Sequence, residues 1–136
     1  MAKKQTQITG NSGLFYVCYR LSCLGWNVIP TSRNAKGIDI VIYDENAKKY
    51  LGIQVKSLSK RAPVPLGNTL DRVMGDFWII VNNLETDEPS VFILKPREVI
   101  KLTHRGEKDE RVSYWLQPKE YEKEKYRDAW DRLQTK

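Results

Sequence analysis

The chain has 136 residues, 40% hydrophobic and 29% charged, with four Trp, seven Tyr and three Phe; such a composition fills the core of a single domain (1–136) and excludes a disordered or fibrous chain. Its 23 Lys and Arg against 17 Asp and Glu leave a net charge of +6 at neutral pH. Apolar runs such as Phe77 to Val81 are only a few residues long, far short of the roughly 20 that span a bilayer, which excludes a membrane helix and a membrane partner.

No apolar stretch follows the basic start, so residues 1–8 are expected to be a flexible tail rather than a secretion signal, and the expected location is cytoplasmic. Thr9-Gly10-Asn11-Ser12-Gly13 offers capping groups, and Leu14, Val17, Cys18, Leu21 and Leu24 recur at helical spacing behind it, which predicts a helix over Ser12 to Leu24 stopped by Gly25. Cys18 and Cys23 are neither a CxxC pair nor a disulfide framework, and are expected to be small core residues in a reducing compartment. A short strand, Trp26 to Ile29, ends at Pro30, and the loop to Gly37 carries Arg33 and Lys36.

Ile38 to Tyr43 and Tyr50 to Ser57 are β-branched runs around the polar turn Asp44 to Lys49, and predict an antiparallel hairpin. After the Pro- and Gly-rich segment Arg61 to Gly67, a short helix is predicted at Thr69 to Val73. Phe77 to Val81 reads as an inner strand buried on both faces, and Val91 to Leu94 as another strand. Pro96 opens a short helix to Leu102 with Val99, Ile100 and Leu102 apolar. His104 to Glu110 reads as a charged loop, Val112 to Leu116 as an edge strand, and Pro118 opens a last helix with Tyr126, Trp130 and Leu133 on one face. The sum is an α/β domain: a mixed central sheet of four or five strands flanked by helices on both faces.

The charge is uneven. Ten of the cations but only three acids lie between Met1 and Arg61, a footprint suited to a polyanion. Asp39 begins one hairpin strand, and Gln54 and Lys56, two apart on the next, share one face of the pleat. The opposite face is expected to be filled by Ile38, Ile40, Ile42, Ile53 and Val55, so the three polar groups meet water, each other or a ligand.

Gly10-Asn11-Ser12-Gly13 opening a helix, Gly25-Trp26-Asn27-Val28 ending it, Gly37-Ile38-Asp39-Ile40 on a strand and Ile53-Gln54-Val55-Lys56-Ser57 on the next, in that order, resemble the PD-(D/E)xK nuclease superfamily. This is the restriction-endonuclease-like fold that includes Holliday-junction resolvases. The resemblance covers about Thr9 to Val81. It implies a divalent-metal-dependent DNA endonuclease with Mg2+ or Mn2+ as cofactor. Asp39, Gln54 and the backbone carbonyl of Val55 would then hold the metal, and Asp39, Gln54 and Lys56 would be the catalytic set, with Lys56 beside the attacking water. Nucleic acid, DNA first, is the implied partner; a homodimer is compatible with it, since two strands need two sites. Arg33, Lys36, Lys60 and Arg61 flank the site as phosphate contacts, with Ser57 as a further donor or a strand-end cap.

Two departures stand out. Gln54 replaces an acid, retaining an oxygen donor but losing a charge. Leu14 stands where resolvase-like members carry a Glu after a Gly matching Gly13. Asp71 and Asp76 are the acids available to supply a second carboxylate. The sequence therefore leaves open three readings: an active nuclease, a catalytically silent nuclease-fold module that binds nucleic acid or a protein partner, and a structural Asp39–Lys56 ion pair. His104 is far from both cysteines, so no zinc site is visible, and GxSxG and GxxxxGK(S/T) are absent. Trp115, Tyr121, Tyr126 and Trp130 are expected as core aromatics before base-stacking ones.

Overall fold

The computed structural model describes residues 2–32 and 37–134, with side chains from residue 7 onward. The helix α1 spans Ala2–Cys23 and is followed by strands β1 (Asn27–Pro30), β2 (Ile40–Tyr43) and β3 (Tyr50–Ser57). Next come β4 (Val64–Gly67), β5 (Phe77–Asn82), β6 (Ser90–Leu94), α2 (Pro96–Leu102), β7 (His104–Lys108), β8 (Arg111–Leu116), α3 (Pro118–Tyr121) and a 3-10 turn at Trp130–Gln134. Five strands form a mixed sheet in the order β1-β2-β3-β5-β6, in which only β3 and β5 run parallel. The remaining three form a second antiparallel sheet, β4-β8-β7.

α1 begins at Ala2 and passes through Thr9 to Gly13, so residues 2–8 of the expected tail are helical and the cap at Ser12 is corrected. Packing of the helix on the sheet outweighs two glycines and a run of small polar residues. Val17 and Leu21 are fully buried, and Leu14, Tyr16 and Cys18 pack against the same core. The helix stops as expected. Gly25 takes φ +95°, its N–H donates to the Ser22 carbonyl, and the Trp26 N–H donates to that of Leu21, which together satisfy the last turn. Beyond that stop Leu24 turns outward and is exposed, and Cys23 is exposed rather than in the core.

The β2–β3 hairpin matches the expectation. Its turn is held by the Asp44 carboxylate, which accepts the Lys48 and Lys49 N–H groups at 2.8 and 3.1 Å. These hydrogen bonds hold the Asp44 carboxyl below its ordinary value. β5 is buried along its whole length, as a strand covered on both faces should be. One face, through Ile40, Ile42, Ile53, Phe77, Ile79 and Val81, packs under α1 together with Trp130 and Leu133. The other, through Trp78, Ile80, Phe92 and Leu94, packs under Val64, Val99, Leu116 and Tyr121. Ile38 departs from this scheme: it precedes β2 and lies over Gly52, on the face that carries Gln54.

Several predicted helices are replaced. Thr69 to Val73 is a turn in which the Val73 N–H donates to the Leu70 carbonyl. His104 to Lys108 is β7 rather than a loop, and Val112 to Leu116 belongs to β8, the middle strand of the second sheet. The last helix shrinks to α3, because residues beyond it pair with the otherwise open edge of β6. There the Ile93 N–H donates to the Tyr126 carbonyl, and the Asp128 N–H to that of Val91. Tyr126 therefore joins one core while Trp130 and Leu133 join the other, and the three share no face. α2 has the expected bounds, with Val99 buried and Ile100 exposed. The second face of the main sheet is thus covered by the small sheet and two short helices.

α1 touches β3 most closely at Gly13, where an added Cβ would stand 1.9 Å from Ser57 Oγ and 2.6 Å from Ser57 Cβ. A Cβ added at Gly10, about one turn earlier, would meet nothing within 4 Å. Gly10→Ala is expected to raise stability by about 0.5–1 kcal/mol through helix propensity. Gly13→Ala is expected to lower it by about 1–3 kcal/mol through overpacking. Urea unfolding of the two variants beside the parent protein checks both signs.

Candidate functional site

Ile40 pairs with Ile53, so Asp39, one residue upstream, comes beside Gln54. Four bonds fix that position. The Asp39 N–H donates to the Ile53 carbonyl at 2.8 Å, and its carbonyl accepts the Thr31 N–H at 2.9 Å. Its Oδ2 accepts the Val55 N–H at 2.7 Å. Thr31 Oγ1 also donates to the carbonyl of the preceding Ile38 at 2.5 Å. On the other side of β3 the parallel register sets Gln54 against Trp78 and Lys56 against Ile80. The three polar residues picked out in the sequence therefore line one cleft of about 450 Å³ with Gly37, Pro65, Leu66, Gly67, Arg72, Val73 and Trp78.

Among the described residues Asp39 and Lys56 make no direct salt bridge with each other, although the Asp39 charge still acts on Lys56. The Lys56 ammonium lies instead 5.2 Å over the Trp78 ring. Burial lowers the Lys56 pKa from the ordinary lysine value; the Asp39 carboxylate opposes that shift and the Arg72 cation adds to it. Trp78 is itself held, its indole N–H donating to the Met74 carbonyl at 3.1 Å.

Gln54 Oε1 is buried without a hydrogen-bond partner among the described residues, an arrangement that costs free energy unless a donor or a cation meets the oxygen. With the Asp39 carboxylate beside it, the cleft offers two hard oxygen donors, a set that fits a magnesium-like ion bound by few protein groups and several waters. Val55 contributes backbone only, since its side chain packs into the core under α1. No cluster of three or more His, Cys, Asp or Glu suited to a metal occurs among the described residues.

Other expected site residues lie elsewhere. Ser57 points to α1, with its hydroxyl 3.4 Å from the Gly10 carbonyl, because odd and even residues of β3 face opposite ways. Lys60 is exposed past the end of β3 and does not line the cleft. Arg61 pairs with Glu122 and lines a separate surface groove with His104, Gln117, Pro118 and Lys119. Arg33 and Lys36 lie outside the described residues. Asp76 belongs to the sheet, accepting the Gly52 N–H at 2.8 Å, and Asp71 does not line the cleft. Leu14 is in the core under α1. Of the late aromatics Tyr121, Tyr126 and Trp130 are buried, and Trp115 is partly exposed on the second sheet.

Sequence reasoning missed Arg72, Trp78 and the wall Pro65 to Gly67. Nothing in the local pattern marks them; they reach the cleft because β4 leaves the main sheet to pair with β8 and the chain then returns to β5.

A buried ammonium disfavoured in the folded state destabilises it below the folded pKa, and that penalty fades as pH rises towards the value of the unfolded chain. Lys56→Met is therefore expected to raise the thermal midpoint at neutral pH, and the gap to the parent protein is expected to shrink as the solution is made alkaline. Thermal melts across pH 7 to pH 10, a window of about three units up to the ordinary lysine pKa, check both the sign and the trend. Comparison of the chain with protein-family models, with curated proteins and with solved structures gives no match, so the functional reading stands on the geometry of the cleft.

Proposed function

We propose that this chain is a divalent-metal-dependent endonuclease of the PD-(D/E)xK type, hydrolysing phosphodiester bonds in DNA with Mg2+ or Mn2+. The observation that carries the reading is the meeting of Asp39, the unpartnered buried oxygen of Gln54, and Lys56 in one cleft. The order helix, three antiparallel strands and a parallel fifth strand agrees with the restriction-endonuclease-like arrangement that the sequence resembles.

Asp39 and Gln54 Oε1 would hold the ion, with the Val55 carbonyl as a further donor. When bound, the ion would neutralise a phosphate and lower the pKa of a coordinated water. Lys56, held over Trp78 and partly desolvated, supplies a positive group to the developing charge of the phosphorane or, once deprotonated, takes a proton from water. The backbone bonds to Asp39 keep its carboxylate in place beforehand, which limits reorganisation during the reaction.

A second reading follows from one observation: among the described residues the cleft holds a single carboxylate, Asp39, against two cations, Lys56 and Arg72. That balance suits a silent module that binds nucleic acid by its phosphates.

Incubation of supercoiled plasmid with magnesium, manganese or chelator separates the two. The endonuclease reading expects metal-dependent nicking, reduced about a hundredfold or more by Lys56→Ala and by Asp39→Asn. Gln54→Glu is expected to lower the magnesium concentration needed for half-maximal rate, by restoring a charge to the donor set. Nicking that persists in Lys56→Ala counts against the endonuclease. No nicking with either metal, together with a salt-sensitive gel shift, selects the binding module.

A further inference from the structure

We infer that Arg72 is a phosphate-binding residue of this cleft, gripping the phosphodiester backbone of a nucleic-acid strand beside the bond that Asp39, Gln54 and Lys56 face. The inference deepens the proposed function and rests on it.

Arg72 lines the same cleft as Lys56, from the segment between β4 and β5. Among the described residues no hydrogen bond or ion pair takes up its guanidinium, whereas Arg61, Arg105 and Arg132 are each paired with a carboxylate. Arg72 is itself exposed, and an exposed arginine on a convex surface needs no partner. It stands, however, in a concave site with a second cation, Lys56, and, among the described residues, one carboxylate, Asp39, to offset both. Two like charges converging on a cleft repel each other unless an anion enters. A phosphodiester supplies that anion, and a planar guanidinium can grip two of its oxygens at once, which an ammonium cannot.

The backbone that carries Arg72 is fixed. The next residue, Val73, is buried in the core of the second face, and its N–H closes a turn on the Leu70 carbonyl. The Asp71 N–H donates to Thr69 Oγ1 at 3.2 Å. The side chain is therefore presented from a built turn, and only its own torsions must be ordered when a phosphate arrives.

The test is binding of a fluorescein-labelled duplex oligonucleotide, followed by anisotropy in chelator over salt from about 50 to 200 mM. Arg72→Gln is expected to weaken binding about three- to tenfold at the lowest salt and to reduce the slope of log affinity against log salt by about one. Arg72→Lys is expected to recover the slope but only part of the affinity, keeping the charge without the fork. Thermal melts confirm that both variants fold. Arg72→Gln binding as the parent does at every salt, or Arg72→Lys failing to recover the slope, overturns the inference. The two failures are distinguishable. A parent protein with neither metal-dependent nicking nor salt-sensitive binding removes the proposed function and this inference together. Unchanged binding by Arg72→Gln, beside metal-dependent nicking that Lys56→Ala abolishes, removes this inference alone.

Discussion

The position of β3 between an antiparallel neighbour and a parallel one is the constraint on which the rest of the molecule depends. Its register against β2 brings Asp39 to Gln54, and its register against β5 puts Trp78 under Lys56. A one-residue slip on either side would send Gln54 and Lys56 into the core under α1 and bring Val55 to the surface of the cleft. The hydrophobic alternation of Leu51, Ile53 and Val55 resists such a slip, so the same residues that bury the sheet also aim the polar ones. The tie between the Val55 N–H and the Asp39 carboxylate then joins the two strands where the ladder ends.

Much of this was legible in the chain. β-branched runs around a polar turn marked the hairpin, and the unbroken run Phe77 to Val81 marked a strand covered on both sides. Gly25 marked the end of α1, and the spacing of Gln54 and Lys56 placed both on one face. Local signals suffice where a pattern is long and its period is distinct.

The failures share a different cause. α1 continues through Thr9 to Gly13 because Gly13 lets it approach Ser57, a contact between residues 44 positions apart that no local window contains. The final segment abandons its helical pattern because the edge of β6 offers backbone partners to Tyr126 and Asp128. β7 and β8 read as loop and edge because their charged residues carry no core signal, and the strand that organises them, β4, lies far away in sequence. Arg72 and Trp78 entered the site by the same long-range route. Propensity was overruled wherever an unsatisfied backbone edge or a close approach existed elsewhere in the molecule.

The crossover between β3 and β5 has a further consequence. Connections between parallel strands are often helices that pack on the sheet and leave their ends to vary. Here residues 58–76 serve instead as one wall of the cleft, as the strand β4 of a second sheet and, through Val73, as part of a core. A segment with three simultaneous duties has little freedom to drift: a change in its length would alter access to the cleft, sheet pairing and packing together. Variation of the cleft in a protein built this way would have to come from side chains on the wall, one position at a time, rather than from insertions.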